Sequence, residues 1–180
     1  MSTNEIQWQS WQPRERAVLC FVLRENRILL IRKKRGLGAG KINGPGGRME
    51  SGETPVEAAV RETGEEVGVI PLQLDMRGEL FFQFRDGYSL HCSVFTALDS
   101  VGKARESDEA DPFWKSFDEI PFEEMWHDDA LWLQGMISGG KFRGYFLFDG
   151  DYMLEQRVIW DEAPKHFLFD KLFNTRYLQK

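Results

Sequence analysis

Residues 47 to 69 read GRMESGETPVEAAVRETGEEVGV and decide the fold of this 180-residue chain. Thr54 is a residue type that caps helix N-termini through its side-chain oxygen, and Pro55 suits the first helical position. Glu57 completes a capping box with Thr54, and Gly68 is typical of the position that follows a helix. The stretch therefore predicts an α-helix that begins at Thr54 and stops before Gly68.

Three glutamates of this helix, Glu62, Glu65 and Glu66, are three and four residues apart and are expected to crowd one helix face. A divalent cation turns their mutual repulsion into a binding site, since Mg²⁺ prefers oxygen ligands and bridges carboxylates to phosphates. Arg61 lies off that face, and we expect it to orient Glu53 through a bidentate ion pair. The alternative is an acidic helix face that is simply solvated.

The spacing of this stretch resembles the Nudix box, the signature of the Nudix hydrolases. The positions of fixed identity are Gly47, Glu53, Arg61, Glu62, Glu65, Glu66 and Gly68, and all of them match. Thr63 stands where an aliphatic residue is usual, and its methyl group limits the expected effect to a small loss of stability.

The resemblance implies an α+β fold, a Nudix-type α/β/α sandwich with a mixed β-sheet. It also implies a pyrophosphohydrolase that needs Mg²⁺, with Mn²⁺ as a substitute. The implied catalytic residues in the box are Glu53, Arg61, Glu62 and Glu65. The implied metal ligands are Gly46, Glu62, Glu65 and Glu66.

Apolar runs outside the box predict strands and one further helix. The predicted strands cover residues 17–23, 27–32, 72–84, 88–97, 112–117, 142–148 and 152–160, and the second helix covers about 129–138. Residues 33–47 are predicted to form a glycine-rich loop, and residues 99–111 a charged loop.

The same pattern divides the chain into three parts. We expect an N-terminal arm over residues 1–16, a Nudix domain over residues 17–160 and a C-terminal extension over residues 161–180 that packs on or near the domain. The apolar side chains of the extension either cover the core or mediate self-association, and they are Phe167, Phe169, Leu172 and Phe173.

From about Ala17 to Val158 the chain resembles the oxidised purine nucleoside triphosphatases of animals, which are 8-oxo-dGTP diphosphatases. The matching stretches are KKRG at 33–36, GAG at 38–40, NG at 43–44, GG at 46–47, ESDE at 106–109, IPF at 120–122, MW at 125–126, DD at 128–129 and FxGYF at 142–146. The resemblance implies hydrolysis of a nucleoside triphosphate to the monophosphate and pyrophosphate, which removes oxidised purines from the nucleotide pool.

The resemblance also assigns substrate-binding residues. It implies that the base is held by Asn43, Trp126, Asp128 and Asp129. An indole stacks on a purine, and two carboxyl groups can exchange protonation so that one donates while the other accepts. The alternative places Trp126 in the core and uses one aspartate as the cap of the second helix.

Two further residues match positions near the nucleotide in the relatives. The resemblance places Lys33 beside the nucleotide and makes Glu109 an additional metal ligand or the general base. The alternatives are a solvated strand end for Lys33 and a plain loop carboxylate for Glu109.

Four departures from these relatives bear on the choice of substrate. Leu37 and Pro45 replace aromatic residues, His127 replaces a proline between the tryptophan and the two aspartates, and Ala110 replaces a bulkier residue. We expect each change to widen the base pocket or to alter its specificity while leaving the triphosphate chemistry intact.

The net charge of −6 and the 42% of hydrophobic residues are ordinary for a soluble domain and argue against binding of polymeric nucleic acid or of a membrane. We expect Cys20 and Cys92 to be buried free thiols, and no signal peptide or transmembrane window is evident, so the sequence favours a cytoplasmic enzyme. The rival functions are hydrolysis of a nucleotide sugar or an RNA 5′-triphosphate, and non-catalytic nucleotide sensing. Both a monomer and a homodimer fit the sequence.

Overall fold

The computed structural model describes residues 6–165. Within that range the chain forms nine strands and two α-helices. The strands are β1 (Glu15–Arg24), β2 (Arg27–Lys33), β3 (Ile42–Asn43), β4 (Gly46–Arg48), β5 (Ile70–Phe84), β6 (Ser89–Val101), β7 (Ala110–Ser116), β8 (Lys141–Asp149) and β9 (Tyr152–Glu162). The helices are α1 (Pro55–Val67) and α2 (Asp129–Ile137), and a short 3-10 helix spans Phe122–Glu124.

The strands form a mixed sheet, as predicted. Seven of them follow the order β3-β2-β1-β6-β5-β8-β9, while β4 pairs with β1 and β7 pairs with β2. Strand β1 lies parallel to β6, and β5 lies parallel to β8. The hairpin neighbours β5–β6 and β8–β9 are antiparallel, which confirms the two predicted long hairpins.

The two helices cover opposite faces of this sheet because side chains alternate along its strands. In β1, Val18 and Cys20 pack into the cluster that contains Ala58 of α1. Phe21, which points to the other face, packs against Trp132 of α2 with ring centroids 5.9 Å apart. The result is the predicted α/β/α sandwich with a hydrophobic cluster on each side of the sheet.

Helix α1 has the ends that its sequence predicts. The backbone N–H of Glu57 donates to Thr54 Oγ1 at 3.3 Å, and the Glu57 carboxylate accepts from the Thr54 backbone at 2.8 Å. Gly68 ends the helix in the left-handed conformation with φ 74°. Thr63 is fully buried, and its hydroxyl donates to the carbonyl of Ala59 at 2.7 Å, so no hydroxyl hydrogen is left unpaired.

The glycine-rich segment is more ordered than the sequence indicates. Besides the predicted loop, residues 33–47 contain β3 and the start of β4, which the sequence did not indicate. A Cβ atom on Gly46 would lie 2.1 Å from the carbonyl oxygen of Val18, so this strand pairing requires glycine. The charged loop is also shorter than predicted, since β6 continues to Val101 and β7 already begins at Ala110.

The described part of the N-terminal arm lies on the sheet. The rings of Trp8 and Tyr145 are 5.1 Å apart, those of Trp11 and Phe81 are 5.8 Å apart, and Trp11 Nε1 donates to Gln83 Oε1 at 2.9 Å. The division at residues 16 and 160 stays a prediction. The apolar tail side chains from Phe167 to Phe173 lie outside the described residues. No helix in the described part of the chain is long and apolar enough to span a membrane.

Candidate active site

A cavity of about 530 Å³ lies beside β1 and joins the end of α1 to the start of α2. One end is lined by polar and charged residues of the acidic motif and the glycine-rich loop. They are Lys33, Arg35, Gly46, Gly47, Arg48, Glu62 and Glu109. The other end is lined by the residues predicted to hold a base, which are Asn43, Trp126, Asp128 and Asp129. The cavity therefore brings the two predicted groups of site residues together.

Arg61 organises the acidic end. It binds both oxygens of Glu53, through Nε at 2.5 Å and a terminal nitrogen at 2.8 Å, which is the predicted bidentate pair. Its other terminal nitrogen donates to Glu62 at 2.9 Å and to Glu65 at 3.2 Å. Hydrogen bonding to Arg61 lowers the pKa of Glu53 to about 2, and the same bond raises the pKa of Arg61. Glu53 and Arg61 consequently both stay charged at neutral pH, and their bidentate contact holds the two side chains in place.

Glu66 lies apart from the other two helix carboxylates, with 1% of its side chain exposed. One oxygen accepts from the backbone N–H of Gly46 at 2.9 Å. The other, Oε1, has no hydrogen-bond partner in the described part of the chain and lies 3.7 Å from the ammonium of Lys33. Burial raises the pKa of Glu66, since the charged form loses its hydration.

The donor set at this end suits a hard divalent cation. Glu66 presents a buried carboxylate oxygen that lacks a hydrogen bond, and Glu62 presents a carboxylate to the cavity. These are the oxygen ligands that Mg²⁺ prefers. Within residues 6–165 no three acidic, histidine or cysteine side chains already converge on one point, because Glu62 and Glu65 are turned toward Arg61. Side-chain rotation would therefore have to accompany metal binding.

Glycine at position 47 leaves the space that Glu62 occupies. A Cβ atom there would lie 2.3 Å from one Glu62 carboxylate oxygen and 2.4 Å from its carbon. We expect Gly47→Ala to displace this carboxylate and to lower kcat by about 100-fold, the effect of roughly 1 Å of misplacement. Steady-state kinetics check the loss, and far-UV circular dichroism checks that the helix content is kept. A variant with the wild-type kcat would show that the position of Glu62 does not matter.

Lys33, Arg35 and Glu109 complete the charged end of the cavity. Lys33 belongs to β2, with 23% of its side chain exposed, so it is not the fully solvated strand end of the alternative interpretation. Glu109 precedes β7 and forms an ion pair with Arg35. The structure thus places Glu109 on the cavity wall, although paired with a cation rather than with the glutamates of α1.

Trp126 stands at the mouth of the opposite end. A Cβ atom on Gly38 would lie 2.8 Å from its indole nitrogen, so the glycine-rich loop can approach the ring only because that side chain is missing. Phe148 packs edge-on at 5.6 Å, and the ammonium of Lys41 lies 4.9 Å from the ring centroid. The ring lies between these groups and also lines the cavity, where an aromatic ligand can stack on it.

The side-chain carbonyl and amide groups of Asn43 differ in their hydrogen bonding. Its Oδ1 accepts from the backbone N–H of Gly44 at 2.8 Å. A Cβ atom on Gly44 would collide with the ring of Phe21 at 2.6 Å, which fixes the backbone beside Asn43. Among residues 6–165 the amide nitrogen has no hydrogen-bond partner, so it can donate to a ligand in the cavity.

Asp128 and Asp129 are both buried, and neither acts as the simple helix cap of the alternative interpretation. Asp128 occupies the N-cap position, yet its Oδ2 accepts from Trp132 Nε1 at 3.0 Å instead of capping the helix. Its Oδ1 is buried without a hydrogen-bond partner among residues 6–165. Asp129 accepts at 3.2 Å from the backbone N–H of Trp126, which precedes the helix.

Burial changes the protonation of this pair. It raises the pKa of Asp128 to about 6. Burial, and after it the negative charge of Asp128, raise the pKa of Asp129 well above its ordinary value. A pair of this kind can share one proton, so that one carboxyl donates while the other accepts.

The two aspartates should destabilise the folded protein as the pH rises. An Asp ionises near pH 4 in an unfolded chain, whereas Asp128 ionises near pH 6 here and Asp129 higher than its ordinary value. The contribution of Asp128 to the free energy of unfolding is complete below about pH 4 and is lost as the pH rises through about 6, and that of Asp129 is likewise lost as the pH rises through its raised pKa. Urea unfolding of the wild type and of the double variant D128N/D129N checks this. The stability of the wild type relative to the variant should fall with pH, and a constant difference would contradict the assignment.

Comparison with known proteins identifies the family of this chain. A family model described as NUDIX domain matches residues 13–136. This chain belongs to the Nudix family. The oxidized purine nucleoside triphosphate hydrolase of Danio rerio is 42% identical over 142 residues, which cover 78% of this chain and 91% of the relative. The Mus musculus protein of the same name is 40% identical over 138 residues, covering 76% and 88%.

Solved structures agree with the Nudix assignment. The MutT protein from Bacillus halodurans has a TM-score of 0.70 to this chain at 26% identity, covering 80% of this chain and 97% of that protein. The chain is therefore a Nudix hydrolase, and these enzymes generally need divalent metal ions. The family match includes the acidic motif described above, from Gly47 to Gly68.

Several residues that line this Nudix cavity were not identified from the sequence. They form its apolar wall, and they are Ala17, Leu19, Leu80, Phe82, Phe84, Tyr88, Leu90, Cys92 and Phe148. Alternation along β5 places Leu80, Phe82 and Phe84 on one face, which the sequence could indicate. Register across β5 and β6 sets Cys92 opposite Leu80, which only the structure shows.

The departures from the oxidised purine relatives fall mostly outside the cavity. Leu37 lines it and is 46% exposed. Pro45, Ala110 and His127 are absent from its wall in the described part of the chain, and their expected effect on pocket width or specificity stays a prediction. Ala110 instead packs into the cluster beneath α1, since its β7 position points to that face. Cys20 and Cys92 are buried free thiols, as predicted.

Proposed function

We propose that this Nudix hydrolase converts an oxidised purine nucleoside triphosphate, such as 8-oxo-dGTP, to the monophosphate and pyrophosphate. The observation that carries the proposal is the buried pair Asp128 and Asp129 at the end of the cavity opposite the Nudix box, where Oδ1 of Asp128 has no hydrogen-bond partner among the described residues. The relatives named as oxidized purine nucleoside triphosphate hydrolases support the same substrate class.

The end of the cavity opposite the Nudix box offers groups that suit an oxidised purine. Oxidation of a purine ring changes its edge, adding a carbonyl acceptor and turning a ring nitrogen into a donor. Asn43 supplies an amide donor, and the aspartate pair supplies an acceptor together with a proton that either carboxyl can hold. Trp126 and the apolar wall enclose the ring faces. A few polar groups among apolar and aromatic side chains, as at this end of the cavity, are the arrangement that gives a small-molecule site its specificity.

The box residues suit Mg²⁺, with Mn²⁺ as a substitute. Glu62, Glu65, Glu66 and the backbone carbonyl of Gly46 would hold the ion. When bound, a divalent cation neutralises phosphate charge and makes water a better nucleophile. Lys33 lies beside Glu66 and would lower the local negative charge around the phosphates.

The reaction is substitution at phosphorus. The oxygen of a water molecule forms a bond to phosphorus while the P–O bond to pyrophosphate breaks, and the water proton passes to a carboxylate. Glu53 is a poor acceptor because Arg61 holds both of its oxygens and lowers its pKa. Its role is to position Arg61, which in turn orients Glu62 and Glu65. Glu65 and Glu109, which have exposed oxygens, are the carboxylates suited to take the proton.

A substrate panel tests the proposal. Turnover of 8-oxo-dGTP, dGTP, 2-hydroxy-dATP, ADP-ribose and triphosphorylated RNA is compared in Mg²⁺, in Mn²⁺ and in EDTA. An oxidised purine should give the highest kcat/KM, with no turnover in EDTA. A preference for ADP-ribose would reject the proposed substrate. ADP-ribose is included because the ADP-ribose pyrophosphatase of Methanocaldococcus jannaschii is 38% identical to this chain over 86 residues. Binding without metal-dependent turnover would indicate the non-catalytic sensor.

The remaining expectations extend this proposal. A free nucleotide substrate fits a cytoplasmic enzyme that binds neither polymeric nucleic acid nor a membrane. Both a monomer and a homodimer are compatible with the proposal.

A further inference from the structure

Two adjacent ion pairs join the glycine-rich loop to the segment before β7. Arg35 pairs with Glu109, and Lys34 pairs with Glu106 at 2.5 Å. The backbone N–H of Lys34 also donates to the carbonyl of Glu109 at 2.8 Å, which fixes the two segments side by side. Only the first pair lines the cavity in the described part of the chain.

The Arg35–Glu109 ion pair is exposed to solvent, so little prevents Arg35 from changing its partner. The Arg35 side chain is 65% exposed and that of Glu109 is 43% exposed. Exposed ion pairs of this kind contribute little to stability, because water screens the attraction and both side chains lose freedom. An arginine gains more from a phosphate, which accepts two parallel hydrogen bonds and carries more charge than a carboxylate.

The other cations of the cavity pair with carboxylates that do not line it in the described part of the chain. In the described residues these are Lys33 and Arg48. Lys33 lies against the buried carboxylate of Glu66, which would be left without a nearby cation if Lys33 moved away. Arg48 binds Glu15 at 2.8 Å, and the hydroxyl of Tyr88 donates to the same carboxylate at 2.6 Å. Among these three cations, Arg35 is the one whose carboxylate partner, Glu109, also lines the cavity, so a move of Arg35 onto an arriving polyphosphate would free a carboxylate inside the site.

We propose that Arg35 exchanges Glu109 for a phosphate group of the bound nucleotide. The exchange releases the Glu109 carboxylate at the end of the cavity where Glu62 lies. While the site is empty, the charge of the Glu109 carboxylate is balanced by Arg35. The carboxylate becomes free to bind a cation or accept a proton only when the polyphosphate is present. The inference rests on the proposed function for the identity of the nucleotide, but its charge exchange needs only a polyphosphate.

The first test uses inorganic tripolyphosphate, which has no base. Calorimetric titration of Arg35→Met should show binding about tenfold weaker than in the wild type, the effect of a lost charge-assisted contact. Lys34→Met is the matched control, since it breaks the neighbouring pair on the same two segments and should bind like the wild type. Equal affinities of Arg35→Met and the wild type would overturn the inference, and so would equal losses in the two variants.

The second test uses Mn²⁺ alone, followed by electron paramagnetic resonance in the absence of nucleotide. Arg35→Met should bind Mn²⁺ at least about threefold more tightly than the wild type, because an additional carboxylate becomes free near the cation. The double variant Arg35→Met/Glu109→Gln should lose this gain, and Lys34→Met should show none. Unchanged Mn²⁺ affinity in Arg35→Met would refute the exchange even if tripolyphosphate binding weakened.

The two titrations test the role of Arg35 independently of the proposed substrate. A wild-type enzyme that hydrolyses no oxidised purine nucleotide would reject the proposed function. The tripolyphosphate and Mn²⁺ titrations would still decide the role of Arg35, since neither probe contains a base.

Discussion

Glu65→Gln is expected to lower kcat by about 10²–10⁴-fold, the range for loss of a carboxylate that assists proton transfer. The substitution removes one negative charge and one basic oxygen from the box and keeps the size of the side chain. Glu65 is 65% exposed, and its described ion pair is with Arg61, so the fold has little reason to depend on it. Steady-state kinetics in Mg²⁺ measure the loss.

Glu57→Gln provides the control for that variant. It makes the same change of charge on the same helix, but Glu57 belongs to the capping box, where glutamine also serves. Its kcat should stay near that of the wild type. Thermal unfolding of both variants should remain close to that of the wild type. Retention of wild-type kcat by Glu65→Gln would remove Glu65 from the catalytic machinery.

Helix α1 was predictable because its signals are local. The cap at Thr54, the proline at the first turn and the stop at Gly68 act within a few residues and need no tertiary contact. The pair of Arg61 with Glu53 was predictable for a similar reason, since eight residues separate the two within one motif.

The split among the helix glutamates was harder to predict. Spacings of three and four residues bring Glu62, Glu65 and Glu66 to one side of a helix, but they still spread over about 100° of its circumference. That angle is enough to bury Glu66 against Gly46, turn Glu62 toward the cavity and leave Glu65 in solvent. The sequence indicates the cluster, whereas the neighbouring strand decides what each carboxylate contacts.

Non-local strand pairing explains what sequence reasoning missed in the cavity. Parallel pairing of β1 with β6 sets Ala17 beside Cys92, although they are 75 residues apart in the sequence. Hairpin rules cover sequence neighbours and do not extend to such a crossover. The ion pair of Arg35 with Glu109 likewise depends on the antiparallel pairing of β2 with β7.

Asp128→Asn is expected to raise KM for the oxidised purine by about tenfold to 100-fold with a smaller effect on kcat. The amide keeps the shape of the side chain but cannot exchange a proton with Asp129. It therefore weakens recognition of a base edge that both donates and accepts. The chemistry at the acidic end of the cavity is left in place, so the loss should appear mainly in binding.

The same substitution should stabilise the folded protein above about pH 6. Burial raises the pKa of Asp128 to about 6, so its ionisation at higher pH costs stability that a neutral amide does not lose. Urea unfolding at neutral pH measures this gain alongside the rise in KM. A variant that is less stable and also loses kcat would point to a structural role through the bond to Trp132. A variant that gains stability and loses only affinity for the oxidised base would show that Asp128 serves base recognition at a cost in folding stability.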